Sequence, residues 1–278
     1  MARRLILWDV DGTLVTCGGA GREALEAGVR AAAGLDGVPH VSMGGKTDPQ
    51  IFTEMLTLAG VAEAEVAALL PVALAEAERV LGRWRGRIAR EGRVHPGVER
   101  LLVELGRRQG VRQTLVTGNL AANAAVKVGA FGLDGYFDLA IGAYGDDHAD
   151  RDLLVPLALS RTRELRGETY RPDEVWVIGD TARDLRCARA AAVRCLIVGT
   201  GRDGFDAVRG IEADAVVEDL ADTDRVLAIL LGQAARRPTD QAGLIHRVPG
   251  HAGAPATLSA DGGPRGRGPR AGPSGPRS

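Results

Sequence analysis

The sequence predicts an α/β protein with a doubly wound parallel sheet and an α-helical cap inserted after the first strand. Short apolar runs alternate with helical patterns along most of the chain. Several of these runs end in turns that carry acids or small hydroxyl residues and lead into a helix. The long stretch between Asp9 and Gln113 is the exception, because it contains no convincing strand.

The strands are predicted from short runs of mostly apolar or β-branched residues, most of which end at or just before Gly, Asp or Thr. A nearly continuous apolar run is typical of a parallel strand that is covered by helices on both faces. The predicted strands are Leu5–Asp9, Gln113–Thr117, Phe137–Ile141, Val175–Ile178, Cys195–Val198 and Ala215–Val217.

The helices are predicted from apolar positions that recur every three to four residues. Those between strands are Gly97–Gln109, Asn119–Ala130, Leu153–Arg166 and Ala182–Ala192. Strands that alternate with helices favour a parallel sheet. The inserted stretch gives three more helices, with Pro71 as a predicted break or kink: Arg22–Ala33, Pro49–Leu58 and Glu63–Leu81.

These elements divide the chain into three parts. Residues 1–15 and 94–233 form the predicted core, and residues 16–93 form the cap. A cap inserted after strand one lies over the carboxyl end of the sheet, where open α/β sheets bind their ligands. Residues 234–278 are rich in Pro, Gly and Arg, so we expect a disordered tail.

Composition excludes several classes of partner. A formal net charge of −1 gives no reason to expect nucleic acid or a membrane surface as a partner. The three cysteines do not match a disulfide framework or a zinc site. The apolar run before the first acids is too short for a signal peptide. We therefore expect a soluble cytoplasmic protein with reduced thiols, whose oligomeric state the sequence leaves unknown.

Two carboxylates, Asp9 and Asp11, directly follow the first predicted strand. Their side chains point in different directions, so one can face a substrate and metal while the other exchanges a proton. Gly12 permits the sharp backbone turn that comes next. In isolation, the motif is equally compatible with a turn that carries capping aspartates.

Two further strand ends carry polar groups. Thr117, Gly118 and Asn119 offer a hydroxyl and free N–H groups at a helix N-terminus, which suit a phosphate oxygen. Asp180 and Asp184 straddle the start of a later helix and could supply oxygen ligands to Mg²⁺. Each motif alone is compatible with ordinary helix capping. Together they place three functional loops at one edge of the sheet.

The order and spacing of these motifs resemble the haloacid dehalogenase-like hydrolase superfamily over roughly residues 4–232. Within it, the chain looks like the phosphoglycolate phosphatase-like group with a helical cap. Gly45–Asp48 and Val94–Gly97 resemble that group too. The resemblance implies a Rossmann-like core, bound Mg²⁺, and hydrolysis of a small phosphate ester through an aspartyl-phosphate.

The resemblance also implies roles for the site residues. Asp9 is the expected nucleophile, and Asp11 is the expected acid and base. Thr117 and Gly118, with the adjacent Asn119, would bind the phosphoryl group. The expected metal site consists of the Asp9 carboxylate, the Asp11 backbone carbonyl and Asp180, with Asp184 bonding to the water shell of the metal or to neighbouring ligands.

A basic residue that steadies the nucleophile and phosphate is harder to assign. Many members carry a lysine upstream of the third acidic motif, but residues 145–152 contain none. Lysine occurs only at Lys46 and Lys127, which favours Lys127 for this catalytic role. Arg151 is the competitor. In the cap, Lys46 could bind substrate anion and Asp48 could order its loop, while a solvated lysine and a capping aspartate are equally compatible with the sequence.

Alternative functions remain open at this stage. Asp11 favours phosphate-ester cleavage over dehalogenation, because the dehalogenases lack an acid two residues after the nucleophile. A phosphoryl-transferring mutase of the β-phosphoglucomutase type uses the same acids, and a non-catalytic scaffold could keep the fold. Dinucleotide binding at Gly19–Ala24 and a P-loop at Gly44–Thr47 are rejected, since neither follows a strand with the required spacing.

Overall fold

A central parallel sheet organises residues 3–232, the part of the chain that the computed structural model describes. Its five strands lie in the order β4-β1-β5-β6-β7, and every pair is parallel. They are β1 (Arg4–Trp8), β4 (Val111–Leu115), β5 (Val175–Gly179), β6 (Arg194–Val198) and β7 (Ala215–Val217). The predicted α/β class with a doubly wound parallel sheet is confirmed.

Helices cover both faces of this sheet. Five of them precede or follow these strands in the chain: α5 (Val98–Gly106), α6 (Ala121–Ala130), α7 (Leu154–Arg166), α8 (Ala182–Ala190) and α10 (Thr223–Leu231). A short helix, α9 (Gly204–Val208), follows β6. Ile6 and Trp8 pack with the buried side chains of α5, α6 and α10, whereas Leu5 and Leu7 pack with those of α7, α8 and α9. Alternate side chains of β1 thus enter opposite cores, as the pleat requires.

Four helices lie between Thr16 and Arg93: α1 (Ala20–Ala33), α2 (Asp48–Leu58), α3 (Glu63–Arg83) and α4 (Arg85–Glu91). They leave and rejoin the core through two short antiparallel strands, β2 (Val15–Thr16) and β3 (Arg93–Val94). Phe52 and Met55 belong to a separate buried cluster among these helices. The division into a core and a cap domain at residues 16–93 stays a prediction, and residues 3–232 fall within one compact unit.

Two predicted features differ from the structure. The predicted strand Phe137–Ile141 is wrong, because this segment forms 3₁₀ turns at Asp134–Tyr136 and Leu139–Ile141. It touches the edge strand β4 only at separate points, such as the 2.9 Å bond from the Asp138 amide to the Gln113 carbonyl. Phe137 and Ile141 enter opposite cores, so their apolar character reflects packing rather than strand pairing.

Pro71 does not end its helix, because α3 runs unbroken from Glu63 to Arg83. The proline ring is exposed, while Ala73, Ala77 and Leu81 on the following turns are buried. Burial of this face compensates for the missing backbone hydrogen bond. Among residues 3–232 no helix has the length and apolarity that crossing a membrane demands. The predicted tail, residues 234–278, lies outside the described residues.

Candidate active site

A cavity of about 1060 Å³ opens at the carboxyl end of the sheet and contains nearly all the predicted site residues. The predicted residues that line it are Asp9, Asp11, Lys46, Asp48, Thr117, Gly118, Asn119, Lys127 and Asp180. Asp184 lies behind this lining and is fully buried. The fold brings the three motifs together because β4, β1 and β5 are adjacent and parallel, so their carboxyl ends meet at one edge.

Three carboxylates form a cluster at this edge. Asp9, Asp180 and Asp184 each offer an oxygen within 4.8 Å of the others. Burial and the neighbouring carboxylates of Asp184 and Asp9 raise the pKa of Asp180 well above its ordinary value of 3.8. Crowded acids of this kind repel one another unless a proton or a cation lies between them. Oxygen ligands from a few carboxylates are the set that Mg²⁺ prefers, so these residues fit the metal that the resemblance implies.

Backbone geometry brings Asp180 close to the first motif. Gly12 has φ 83°, and a Cβ at this position would lie 2.4 Å from Asp180 Oδ2. Only glycine tolerates both the left-handed conformation and this contact. The Thr13 hydroxyl donates to Asp180 Oδ1 at 3.3 Å, and the Thr200 hydroxyl donates to the Gly12 carbonyl at 2.6 Å. The turn after Asp11 is therefore held against Asp180.

Asp184 is fixed by the start of α8. Its Oδ2 accepts from the Thr181 amide at 3.0 Å and from the Thr181 hydroxyl at 2.6 Å, as part of a capping box. Its Oδ1 accepts from Arg151 at 2.5 Å. Asp184 therefore caps α8, as one interpretation of the sequence allows, and it also belongs to the carboxylate cluster. One residue serves both purposes because its two oxygens face different partners.

Arg151 lies between the nucleophile candidate and Asp184. Its Nη2 is 3.2 Å from Asp9 Oδ1, and its side chain is only 3% exposed. Burial opposes the charge of Arg151, but Asp184 and Asp9 more than compensate and raise its pKa. Burial raises the pKa of Asp9 to about 6, while Arg151 and a hydrogen bond from Thr117 act in the opposite direction. Arg151 thus supplies the positive charge that Asp9 needs in order to stay ionised.

A second cation serves Asp11. Lys127 Nζ donates to Asp11 Oδ2 and to Asn119 Oδ1, both at 2.5 Å. The side-chain amide nitrogen of Asn119, Nδ2, donates to Asp11 Oδ2 at 2.9 Å and to the Thr117 hydroxyl at 2.8 Å. The Asp11 side chain therefore points away from the carboxylate cluster, which leaves its backbone carbonyl as the expected metal ligand.

The structure divides the two basic candidates between the two acids. Arg151, not Lys127, contacts Asp9, so the sequence-based preference for Lys127 beside the nucleophile is not what the geometry shows. The sequence signal that pointed to Arg151 was its position upstream of the third acidic motif. Lys127 lies on α6, and of the two acids Asp9 and Asp11 its ammonium contacts only Asp11. Its catalytic role stays a prediction.

The loop that carries Lys46 and Asp48 packs directly on the Thr117–Asn119 loop. A Cβ at Gly118 would lie 2.1 Å from the Lys46 carbonyl, so no larger residue fits there. The Asp48 amide donates to the Gly118 carbonyl at 2.7 Å, and Asp48 Oδ2 accepts from the Leu120 amide at 3.0 Å. Asp48 therefore joins its loop to the Thr117–Asn119 loop, and its predicted part in substrate binding stays a prediction. Lys46 forms an ion pair with Glu54 on α2.

Other side chains near the motifs were not predicted. Thr13 comes two residues after Asp11 and Thr181 directly follows Asp180, and this closeness to the motif acids is the signal that could have found them. Arg183 donates to the Gly44 carbonyl at 2.8 Å and joins the third motif to the inserted segment. His148 is exposed and bonds only within its own turn, while His95 is buried against the Thr16 hydroxyl at 3.0 Å. Neither histidine lines the cavity.

Comparison with known proteins identifies the family of this chain. The haloacid dehalogenase-like hydrolase family matches residues 6–189. The phosphoglycolate phosphatase of Pseudomonas putida is 28% identical over 228 residues, which cover 78% of this chain and 77% of that protein. The plasmid-borne phosphoglycolate phosphatase of Cupriavidus necator is 31% identical over 221 residues, which cover 77% of this chain and 89% of that protein.

Solved structures show the same fold. CbbY from Rhodobacter sphaeroides, in complex with phosphate, has a TM-score of 0.56 at 23% identity and covers 79% of this chain and 96% of its own. The β-phosphoglucomutase of Clostridium difficile has a TM-score of 0.60 at 15% identity and covers 83% of this chain and 97% of its own. The solved structures show the fold, whereas the matching family and the curated relatives show the membership. The chain belongs to the haloacid dehalogenase-like hydrolase family, among its phosphoglycolate phosphatase-like phosphatases.

Proposed function

We propose that this protein hydrolyses the phosphate ester of a small soluble metabolite, with Mg²⁺ bound and Asp9 as the nucleophile. The observation that carries the proposal is the cluster of Asp9, Asp180 and Asp184 at the floor of a cavity that Asp11 and Thr117 also line. A phosphoglycolate-like ester or a sugar phosphate is the substrate class that we propose, and the curated phosphoglycolate phosphatases support it.

The reaction has two balanced steps. An Asp9 oxygen attacks phosphorus, the bond from phosphorus to the leaving oxygen breaks, and Asp11 gives that oxygen a proton. Water then attacks phosphorus, Asp11 takes a proton from it, and the bond from phosphorus to Asp9 breaks. One residue serves as acid and then as base, which requires access to the leaving group and to water. Asp11 has that access, since its side chain is 46% exposed.

The other residues bind and orient. Thr117 and the Gly118 amide would hold the oxygens of the transferring phosphoryl group. Arg151 keeps Asp9 oriented through its contact at 3.2 Å. Asp9, the Asp11 carbonyl, Asp180 and Asp184 would hold Mg²⁺. When bound, Mg²⁺ screens the repulsion between an anionic nucleophile and an anionic phosphate and stabilises developing charge.

The test is hydrolysis of p-nitrophenyl phosphate by the full-length protein with MgCl₂ and with a chelator. We expect Asp9→Asn to lose at least about 10⁴-fold in kcat, because loss of a nucleophile removes the covalent step. Circular dichroism would check that the variant is folded. Asp206→Asn is the matched control, since that aspartate is 88% exposed and pairs only with Arg209.

Two results would contradict the proposal. Wild-type protein that hydrolyses no phosphate ester would favour a non-catalytic scaffold. Isomerisation of a sugar phosphate without net phosphate release would favour a mutase. A phosphate-release assay run beside the isomerisation assay distinguishes the two.

A further inference from the structure

Asn119 uses both ends of its side-chain amide to contact other residues of the candidate site. Its Nδ2 donates to Asp11 Oδ2 at 2.9 Å and to the Thr117 hydroxyl at 2.8 Å, and its Oδ1 accepts from Lys127 Nζ at 2.5 Å. The residue is only 7% exposed. A side-chain amide has two N–H donors, and both are used here. The side chain of Asn119 therefore binds neighbouring residues and has no donor left for a phosphoryl oxygen.

The orientation of this amide is fixed by the charges on either side of it. Lys127 Nζ also donates to Asp11 Oδ2 at 2.5 Å, and the Lys127 side chain is 6% exposed. If the amide were reversed, its N–H groups would face the ammonium and its oxygen would face the Asp11 carboxylate. Both contacts would be repulsive, and a buried site screens such repulsion poorly. Lys127 therefore keeps the N–H groups of Asn119 directed at Asp11 and Thr117.

The contact with Asp11 selects the oxygen that can exchange a proton. The bonds from Lys127 and Asn119 both end on Oδ2, so Oδ1 is the oxygen that remains for a leaving group or a water molecule. The Asp11 side chain is 46% exposed, so few other contacts restrain it. Two bonds to one oxygen hold the carboxylate in a single orientation, and proton transfer depends on such a fixed geometry.

The contact with Thr117 directs the single proton of its hydroxyl. The Thr117 oxygen accepts from Asn119 Nδ2 and also from the Asn119 backbone amide at 3.4 Å. A hydroxyl has two acceptor lone pairs and one proton, so the proton points away from Asn119. Burial raises the pKa of Asp9 to about 6, and a hydrogen bond from the Thr117 side chain acts against this effect. The Thr117 proton is thus directed at Asp9, where the phosphoryl group would bind in the proposed reaction.

The backbone on both sides of the Asn119 side chain is held as well. The Asn119 carbonyl accepts from the Gly145 amide at 2.7 Å, and the Gly118 carbonyl accepts from the Asp48 amide at 2.7 Å. The amide group is therefore presented to Asp11 and Thr117 from a fixed loop, which is the condition for positioning other side chains.

We propose that Asn119 is a positioning residue that aligns the acid and base, Asp11, with the phosphate-binding hydroxyl of Thr117, and that Lys127 fixes its orientation. The proposal rests on the proposed phosphatase function and deepens it. One amide connects the residue that handles the leaving oxygen with the residue that handles the phosphoryl oxygens. Replacing Asn119 should therefore weaken both functions without removing a reacting atom.

Two aryl phosphates separate the two contacts of Asn119. Phenoxide is a poorer leaving group than p-nitrophenoxide, so its release depends more on a proton from Asp11. The first-turnover rate constant for release of each phenol by the full-length protein with MgCl₂ measures the step before water attacks. We expect Asn119→Ala to lower this rate constant for phenyl phosphate by about tenfold or more beyond its effect on p-nitrophenyl phosphate. The loss that both esters share measures the Thr117 contact.

Double-mutant cycles assign each part of the loss to its partner. With Asp11→Asn in place, Asn119→Ala should no longer change the ratio between the two esters. With Thr117→Val in place, it should no longer cause the shared loss. Asn119→Asp is a second variant of the same shape, which keeps an acceptor for Lys127 but replaces the donor. It should change the ratio at least as much as Asn119→Ala, because its second oxygen would repel Asp11.

Thr162→Val is the matched control for a loss of stability alone. The Thr162 hydroxyl is fully buried, donates to the Ala158 carbonyl of its own helix at 2.7 Å and does not line the cavity. This variant should lower the urea midpoint and leave both rate constants unchanged. Circular dichroism checks that each variant is folded.

Three results would contradict the proposals. An unchanged ratio between the esters in both Asn119 variants, or a changed ratio that persists with Asp11→Asn, would overturn the positioning role while the phosphatase function stands. A shared loss that persists with Thr117→Val would overturn the part that concerns Thr117. Release of neither phenol by the wild-type protein would instead overturn the phosphatase function.

Discussion

Asp9 and Asp11 are two residues apart, and each is paired with a buried cation, but their surroundings differ. The Asp9 side chain is 7% exposed and lies among Arg151, Asp180 and Asp184. The Asp11 side chain is 46% exposed, and its Oδ2 accepts from the buried side chains of Lys127 and Asn119. One acid is enclosed in a fixed electrostatic environment, and the other is fixed by hydrogen bonds but open to the cavity.

The difference matches the two tasks that we propose. A nucleophile needs a fixed position and the exclusion of water. The buried Arg151 fixes the position of Asp9. An acid and base needs to reach both a leaving group and water, so complete burial would prevent its function. A planar guanidinium can bridge two carboxylates at once, whereas the compact ammonium of Lys127 serves one carboxylate and one amide oxygen. The choice of cation thus follows the number of carboxylates that it must serve.

The largest expected effect comes from replacing Arg151, the cation beside the buried Asp9. Arg151→Met should lower the free energy of unfolding by about 3–5 kcal/mol, because it leaves the buried carboxylates of Asp9 and Asp184 uncompensated. Hydrolysis should fall as well, since Asp9 loses its orienting contact. Urea denaturation in the presence of a chelator measures the first effect, and the p-nitrophenyl phosphate assay measures the second.

Lys127→Met is the matched substitution, because Lys127 is the cation beside the exposed Asp11. We expect a smaller loss, about 1–3 kcal/mol, because the exposed Asp11 carboxylate can be solvated by water. The difference in accessibility between the two acids would have no energetic meaning if Lys127→Met destabilised the protein more than Arg151→Met. The same pair of variants tests which cation matters more for kcat.

A pH experiment examines the loop beside Lys127. Burial raises the pKa of Asp48 from its ordinary value of 3.8 to about 6, while Lys127 and the Leu120 amide act against this effect. Below about pH 4 the side chain is protonated in both the folded and the unfolded state. Between about pH 4 and 6 only the folded state keeps the proton, so stability falls as the pH rises, and the full cost is present above that window.

Asp48→Asn removes this cost but keeps an acceptor for the Leu120 amide. Relative to wild type, the variant should gain stability as the pH rises from about 4 to 7, by up to about 3 kcal/mol. Urea midpoints at several pH values measure the gain. A constant difference between the two proteins across this range would show that Asp48 does not titrate there.

The smallest expected effect is stabilisation by the metal. Mg²⁺ at ten times its Kd should stabilise the folded protein by about 1.4 kcal/mol, which corresponds to a rise of about 3–6 °C in Tm. Asp180→Asn should reduce this rise, whereas Asp206→Asn should leave it unchanged. Differential scanning fluorimetry with and without MgCl₂ measures both. An equal rise in Tm for Asp180→Asn would place the ion away from the carboxylate cluster.

Local sequence predicted the parts of this protein that depend on neighbours in the chain. The strands from Leu5, Gln113, Val175 and Cys195 were found because a strand buried on both faces needs a nearly continuous apolar run. The segment Phe137–Ile141 was misassigned for the same reason, since burial alone makes it apolar. The three motifs could be placed at one edge because parallel strands present their carboxyl ends together.

Only the tertiary structure decided how the charged groups pair. The distance along the chain from Asp9 to Arg151 or from Asp11 to Lys127 says nothing about which cation meets which acid. That choice depends on where the turn before α7 and the face of α6 come to lie against β1, and electrostatic pairing depends on distances of a few ångströms. The sequence therefore determined the fold class, the motifs and the candidate acids. Their cationic partners were decided by packing between elements far apart in the chain.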